Sequence, residues 1–427
     1  MSQNRQATLT FPAGFLWGTA TAAHQVEGGN FNNDWWAWEQ AGHIADGGSA
    51  RIACDWWQRA EEDFDRAAAL GQNAHRLSVE WSRIEPAPGQ WDEAALARYR
   101  QMLTGLRERG ITPMVTLHHF TNPLWLAKDG GWERPSVVQA FQHFVERTVG
   151  ALGDLVNLWV TINEPMVYVF QGYFDGRWPP GKKNPVAGIR VARHMVMAHA
   201  AAYHAIHRIQ PDAQVGIAKH MRVFDPLRKS PPDRAIANFQ DFLFNRVFLE
   251  ALTDGVFRIP PRRRIPEAIN TQDFIGLNYY ARDRVTFDLR SPATLFGRLT
   301  TTPGAETGPP GWGEMYPEGI YRLLKRLSRW GKPIYITECG VPDTAQMDRS
   351  RFIVSHLREV HRAIHEGVMV RGFFHWTLVD NFEWAEGWSL RFGLIALDEK
   401  TQERRPKPAA EVYAAICRAN KLVTEDV

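Results

Sequence analysis

Short apolar runs alternate with longer amphipathic stretches along the whole 427-residue chain. The runs at 15–22, 74–81, 113–119, 158–165, 213–220, 274–280, 334–340 and 372–378 predict eight strands. Between and after them, 61–70, 92–109, 136–152, 186–209, 234–252, 317–330, 349–367 and 408–420 return apolar residues every three or four positions and predict helices. Leu96, Tyr99, Met102, Leu103 and Leu106 show the spacing. Several helices stop at glycine, at Gly71, Gly110 and Gly367, where a helix C-terminus favours a residue without a side chain. No Gly/Ser linker, low-complexity tract or simple repeat interrupts the alternation. Eight strand–helix pairs point to a closed parallel α/β barrel, with a doubly wound open sheet as the alternative.

The polar residues fall in a telling place. Most of these strands begin apolar and finish on chemistry-bearing groups: Arg76 and Glu80 in the second, His118 and His119 in the third, Asn163 and Glu164 in the fourth, Asn278 and Tyr280 in the sixth, Glu338 in the seventh. In a parallel barrel the C-terminal strand ends share one face, so residues distant in sequence converge there. A buried run that ends repeatedly on unpaired polar groups is costly without a ligand.

Composition narrows the function classes. With 44% hydrophobic and 23% charged residues the chain is neither disordered nor fibrous. The charge balance of 50 − 47 = +3 is too even to imply a nucleic-acid partner. No apolar run approaches the ~18 residues that span a bilayer, and the polar start lacks a signal-peptide core, so we expect no membrane partner and a cytoplasmic protein. Cys54, Cys339 and Cys417 are too few and too scattered for a disulfide framework. The unusual figure is 17 tryptophans, which suit either a Trp-rich core or stacking on sugar rings.

Two segments carry the chemistry: Thr161-Ile162-Asn163-Glu164-Pro165 and Ile336-Thr337-Glu338-Cys339-Gly340. Cleaving a glycosidic bond takes one carboxyl that holds a proton for the leaving oxygen and another that stays ionised to meet the sugar carbon. Two glutamates from opposite sides of a barrel meet that requirement.

Together with Phe11-Pro12, Phe15-Leu16-Trp17-Gly18-Thr19-Ala20-Thr21, and the segments 25–28, 76–83, 116–120, 376–393 and 406–408, these motifs make the chain resemble glycoside hydrolase family 1, the β-glucosidase family, over nearly its whole length. The resemblance implies a single (β/α)8 TIM barrel over 1–427 with elaborated βα loops, no cofactor, and hydrolysis of β-linked sugars with retention. Retention requires carboxyls ~5–5.5 Å apart. By the same resemblance Glu338 is the nucleophile and Glu164 the acid/base. Arg76 and Tyr280 stabilise the nucleophile's anion, Asn163 holds the sugar 2-hydroxyl, and Asn278 supports the same centre. Gln25, His119, Glu383 and Trp384 hold the other hydroxyls, Trp376 is a platform beneath the sugar, and Trp312 a wall for the leaving group. The two glutamate pKa values are expected to move in opposite directions, Glu164 up and Glu338 down.

Other readings are narrower. Adjacent His118 and His119 point to opposite sides and lack HExxH spacing, so no metal is expected. Residues 262–264, all Arg, read as a solvated loop. A 6-phospho-β-glycosidase would need cationic and hydroxyl groups where Glu383, Leu390 and Phe392 stand. Cys339 follows Glu338 where the family has Asn, and reads as a small residue packed behind the barrel; Phe120 replaces a frequent Trp. Asn33-Asp34-Trp35-Trp36 and Asp55-Trp56-Trp57 resemble the archaeal-type branch and leave mannose or galactose acceptance open. The expected activity is an exo-β-glycosidase removing terminal β-D-glucosyl, and also galactosyl or fucosyl, units from short oligosaccharides or aryl and alkyl glycosides. The alternatives are a β-mannosidase, a 6-phospho-β-glycosidase or a sugar-binding pseudoenzyme.

Overall fold

A computed structural model describes residues 7–309, 311–344 and 348–424. All eight expected strands are present, as β1 (Leu16–Ala20), β2 (Ala74–Ser78), β3 (Thr112–His118), β4 (Leu158–Asn163), β5 (Gln214–His220), β6 (Phe274–Tyr279), β7 (Ile334–Cys339) and β8 (Val370–Trp376). Each pairs in parallel with the next, and β8 pairs with β1, which closes the barrel. The main helices are α1 (Trp56–Ala69), α2 (Glu93–Glu108), α3 (Ser136–Leu152), α4 (Pro185–Ile209), α5 (Pro231–Asp241), α6 (Val247–Asp254), α7 (Pro317–Leu327), α8 (Arg349–His365) and α9 (Pro408–Ala419). Along α2 the predicted stripe of Leu96, Tyr99, Met102, Leu103 and Leu106 is buried, and Asp92 caps its start by accepting from the Ala95 N–H.

Three expectations change in detail. The helix predicted over 234–252 is two helices, α5 and α6, joined by a π-helical segment at Phe242–Arg246. It starts earlier as well, because the Ser230 hydroxyl caps it before Pro231. The first helix begins at Trp56 rather than 61, and its indole N–H is bound to Asp63 at 2.8 Å. Arg263–Arg264 is exposed as expected, but it pairs antiparallel with Val256–Phe257 instead of forming a free loop.

The loops leaving the C-terminal strand ends are elaborated. Short helices at Ala23–Val26 and Asp34–Gln40 follow β1, and Pro165–Val169 runs into a second π-helical segment, Phe170–Asp175, after β4. Val223–Pro226, Arg282–Phe287 and Gly297–Thr300 form a small sheet over the β5 and β6 ends. The strand ladder slips at four places: between Val160 and Asn163 of β4, Leu277 and Asn278 of β6, and Ile334 and Tyr335 and again Ile336 and Cys339 of β7. Such irregularities re-aim side chains near functional sites, and here the three at the C-terminal ends flank residues singled out from the sequence. No helix of the described residues is long and apolar enough to cross a membrane.

Gly340, just past β7, allows the chain to pass close to the end of β8. A Cβ there would stand 2.1 Å from the Trp376 carbonyl oxygen. Gly340→Ala should therefore lower stability by about 2 kcal/mol or more, read as an earlier denaturant midpoint with an unchanged slope.

Candidate active site

Glu164 follows β4 directly, with its backbone in the left-handed region at φ 45° and its N–H bound to the Ala218 carbonyl of β5 at 2.7 Å. Such a backbone costs a non-glycine residue of order 1–3 kcal/mol and is typical of functional positions. Pro165 then opens the short helix, where its missing N–H is no loss. Glu338 comes from β7, so barrel closure brings together two carboxyls 338 − 164 = 174 residues apart.

Arg76 of β2 organises the floor. One guanidinium nitrogen donates to Glu338 Oε1 at 2.5 Å, the second to Asn163 Oδ1 at 2.6 Å, and Nε to Thr116 Oγ1 at 3.0 Å. The Tyr280 hydroxyl donates to the other Glu338 oxygen at 2.5 Å. Glu164 has a different setting: Asn278 Nδ2 donates to its Oε1 at 2.8 Å, and the Asn278 oxygen accepts from Thr337 Oγ1 at 2.6 Å.

The electrostatics correct one expectation: both carboxyls are raised. Burial pushes Glu164 up, the nearby Glu338 adds to it, and the Asn278 amide opposes only in part. Burial also raises Glu338, but there the Arg76 guanidinium and the Tyr280 hydroxyl pull back. The contrast therefore lies in the opposing donors, not in the direction of the shift. Glu383 is lifted to about 8 by burial and by Glu338. It thus holds a proton more firmly than an ordinary carboxyl does. Protonated, it can donate as well as accept.

The remaining predicted residues gather around the same cavity of about 380 Å³, which His119, Asn163, Glu164, Tyr280, Trp312, Glu338, Trp376, Glu383 and Trp384 line. Arg76, Asn278 and Gln25 stand just behind; Gln25 Nε2 reaches Glu383 at 3.2 Å and the Phe382 carbonyl at 2.7 Å. His119 Nε2 lies 3.0 Å from Asn163 Nδ2, and burial, aided by Arg76, holds the imidazole neutral. Its ring stacks on Trp376 and Trp384, with centroids 6.1 and 5.9 Å away. Phe120 packs edge-on against Trp178 and Trp384, so a neighbouring Trp occupies the space beside it. Trp312 packs against Tyr280 and Phe392 on the opposite wall. Gln25 Oε1, His119 Nδ1 and His220 Nε2 are buried without a hydrogen-bond partner among the described residues, which suits a ligand rich in hydroxyl groups.

His118 turns away from the cavity towards Asn122 and Trp132. Among the described residues no group of three or more His, Cys, Asp or Glu is arranged to hold a metal ion. Cys339 is buried in β7, and burial raises its thiol well above the ordinary value, as suits a packing residue.

Sequence reasoning missed the outer half of the cavity. Phe170, Leu243, Phe244, Leu295 and Leu299 form an apolar wall, with Gln171, Arg222 and Gln240 among them. They lie on loops, on π-helical segments, at the end of α5 and on the Gly297–Thr300 strand, which no rule about barrel-strand ends flags. His220 is different, because it closes β5 and the same rule would have found it; its Nδ1 lies 3.7 Å from Glu164 Oε1.

Comparison with known proteins identifies the family and the fold. The family model for glycosyl hydrolase family 1 matches residues 7–422. Beta-glucosidase A of Thermotoga maritima is 33% identical, over 96% of this chain and 98% of its own length. A beta-galactosidase of Pyrococcus woesei is 31% identical over 98% of each chain. Among solved structures, a beta-glycosidase from Pyrococcus horikoshii superposes with a TM-score of 0.91 at 40% identity, covering 97% of this chain and 96% of that one. The Thermotoga maritima beta-glucosidase in complex with glucoimidazole gives 0.91 at 31% identity, covering 97% and 100%.

The Tyr280 hydroxyl favours the charged form of Glu338, so Tyr280→Phe should raise the Glu338 pKa further, by about one unit. Carbon-13 NMR titration of the labelled Glu338 carboxyl, assigned by its loss in Glu338→Gln, measures the shift.

Proposed function

Because the chain belongs to glycosyl hydrolase family 1 and is a β-glycosidase, we propose that it is a retaining exo-β-glycosidase with Glu338 as nucleophile and Glu164 as acid/base. The observation that carries this is the unequal environment of the two carboxyls. Glu338 sits between Arg76 and Tyr280, and Glu164 faces the same cavity with a single amide donor.

In the first step Glu338 attacks the anomeric carbon while Glu164 passes its proton to the departing glycosidic oxygen. The product is a glycosyl ester, and the Glu338 charge has gone. The Glu164 pKa then falls, because Glu338 no longer repels its anion. Glu164 removes a proton from water, the water oxygen attacks the anomeric carbon, and Glu338 leaves as carboxylate. Asn163, held by Arg76, is oriented for the 2-hydroxyl, a contact that strengthens as the ring becomes cationic. Protons balance over the two steps, and no cofactor takes part.

The glycone is a terminal β-D-glucosyl unit, with galactosyl and fucosyl accepted. Relatives named as a glucosidase and a galactosidase support that breadth. Gln25, His119, Glu383 and Trp384 hold its hydroxyls and Trp376 its face. The apolar outer wall supports aryl and alkyl glycosides or short oligosaccharides as substrates. Against a 6-phosphosugar stands the lack of a cation among the hydrogen-bond partners of Glu383, with apolar Leu390 and Phe392 nearby in sequence. We take 1–427 as one catalytic unit, because the family match and the strands of one barrel run through nearly all of it. Three buried free cysteines support a reducing, cytoplasmic setting.

Glu338→Ala should lower kcat at least about a thousand-fold. Glu164→Ala should spare the first step for activated aryl leaving groups and regain turnover with azide. Full activity in Glu338→Ala would remove the nucleophile assignment, and absence of both effects in Glu164→Ala would remove the acid/base assignment. A panel of aryl β-glucoside, β-galactoside, β-fucoside, β-mannoside and 6-phospho-β-glucoside, run with and without chelator, should favour the first three and ignore the chelator. Proton NMR of the first-formed product should show the β anomer.

A further inference from the structure

A second open cavity, of about 620 Å³, shares no lining residue with the catalytic one. It lies between the loop that leads from β3 into α3 and the first half of α4, and Arg134, Lys182, Arg190, Arg193 and His194 line it with one carboxylate, Glu133. Four full cations against one anion give 4 − 1 = +3 within one concavity, as much as the net charge of the whole chain.

The protein itself uses these charges only in part. Glu133 takes Lys182 directly and Arg190 at 4.0 Å. Arg134 spends its Nε on the Asp129 carbonyl at 3.2 Å, and its stem lies along Gly130, where a Cβ would stand 3.2 Å from Arg134 Cγ. Arg193 is half-buried and has no hydrogen-bond or ion-pair partner among the described residues. It stands three residues after Arg190 in α4, a spacing at which like charges repel. His194 is buried, and its Nδ1–H donates to the Trp132 carbonyl at 2.8 Å, which leaves Nε2 as its free nitrogen. A half-buried guanidinium among like charges is poorly compensated for its lost hydration unless an anion joins it.

We propose that this cavity binds a phosphoryl anion of two or more charges, with the diphosphate group as the recognised part, shared by Arg134, Arg190 and Arg193. A guanidinium suits that task because it presents parallel N–H donors to two oxygens at once. Pro135 lines the cavity immediately before α3, so the positive end of that helix dipole stands at the rim. The volume exceeds what one orthophosphate fills and falls in the range of small-molecule sites. Burial lowers the His194 pKa, and Arg193 and Arg190 lower it further; an anion among them acts in the opposite direction.

Isothermal titration calorimetry of the full chain at constant ionic strength, with orthophosphate, diphosphate and ADP as probes, tests the site. Diphosphate should saturate one site with a Kd of about 1 mM or tighter, roughly ten-fold or more below that of orthophosphate. ADP should bind at least as tightly, since it carries the same group. Arg193→Gln should weaken diphosphate about ten-fold or more. Arg405→Gln, at an exposed arginine outside the cavity, should leave the affinity unchanged. Both variants should keep the wild-type kcat on an aryl β-glucoside. Without added anion, Arg193→Gln should unfold at the same or a higher temperature, because a repelling charge has gone, whereas an arginine of purely structural use would lower it. In proton NMR the His194 Cε1–H should titrate at higher pH when diphosphate saturates the wild type, and not in Arg193→Gln. Diphosphate bound no more tightly than orthophosphate, an equal loss in Arg405→Gln, or binding of ADP without binding of diphosphate would each overturn the proposal.

Discussion

Three carboxyl groups, Glu164, Glu338 and Glu383, share one buried cavity, and their crowding is the constraint that the rest of the upper face answers. Each is driven towards its protonated form by lost hydration, and Glu338 pushes up the other two. What separates them is the donors each receives: a guanidinium and a phenol for Glu338, one amide for Glu164, the Gln25 amide and the Trp376 side chain for Glu383. The donors come from β2, the ends of β6 and β8, and the loop after β1. An open sheet would scatter them, so closing the barrel is also what sorts the charges.

The aromatic residues serve the same constraint. Trp384 lies in a cluster with His24, Trp35, His119, Phe120 and Trp178, a wall of rings that keeps water from one side of the carboxyls. A ring face against a sugar then replaces solvent without adding a charge. The tryptophan excess divides accordingly. Trp17, Trp35, Trp56, Trp81, Trp132 and Trp159 are wholly buried, whereas Trp178, Trp312, Trp376 and Trp384 line the cavity.

The barrel was legible because each strand is an apolar run bounded by turn residues, and the inner site because Arg76, Asn163, Glu164 and Glu338 end or follow such runs. The boundary of α5 was less so, since a π-helical turn inserts one residue without disturbing the apolar content. Partners of charge were not legible at all. That Glu383 is raised, and that Glu338 is raised despite Arg76, depends on burial and on neighbours far away in sequence. The outer wall escaped because Leu299 belongs to a small sheet laid over the mouth and Leu295 to the turn that leads into it, and such apolar residues look like those of any exposed strand or turn.

The two π-helical segments, Phe170–Asp175 and Phe242–Arg246, face each other across the mouth, with the rings of Phe170 and Phe244 5.6 Å apart. A π turn carries one residue more than the α-helix it interrupts, and one residue of an α-helix corresponds to a rotation of about 100°. Removing a single residue from either segment would swing every following side chain of that rod around its axis and take a ring out of the wall. The lining of the entrance is thus encoded in the length of the chain as well as in its letters. Insertions and deletions, rather than exchanges of one side chain for another, are the natural currency for remodelling what enters.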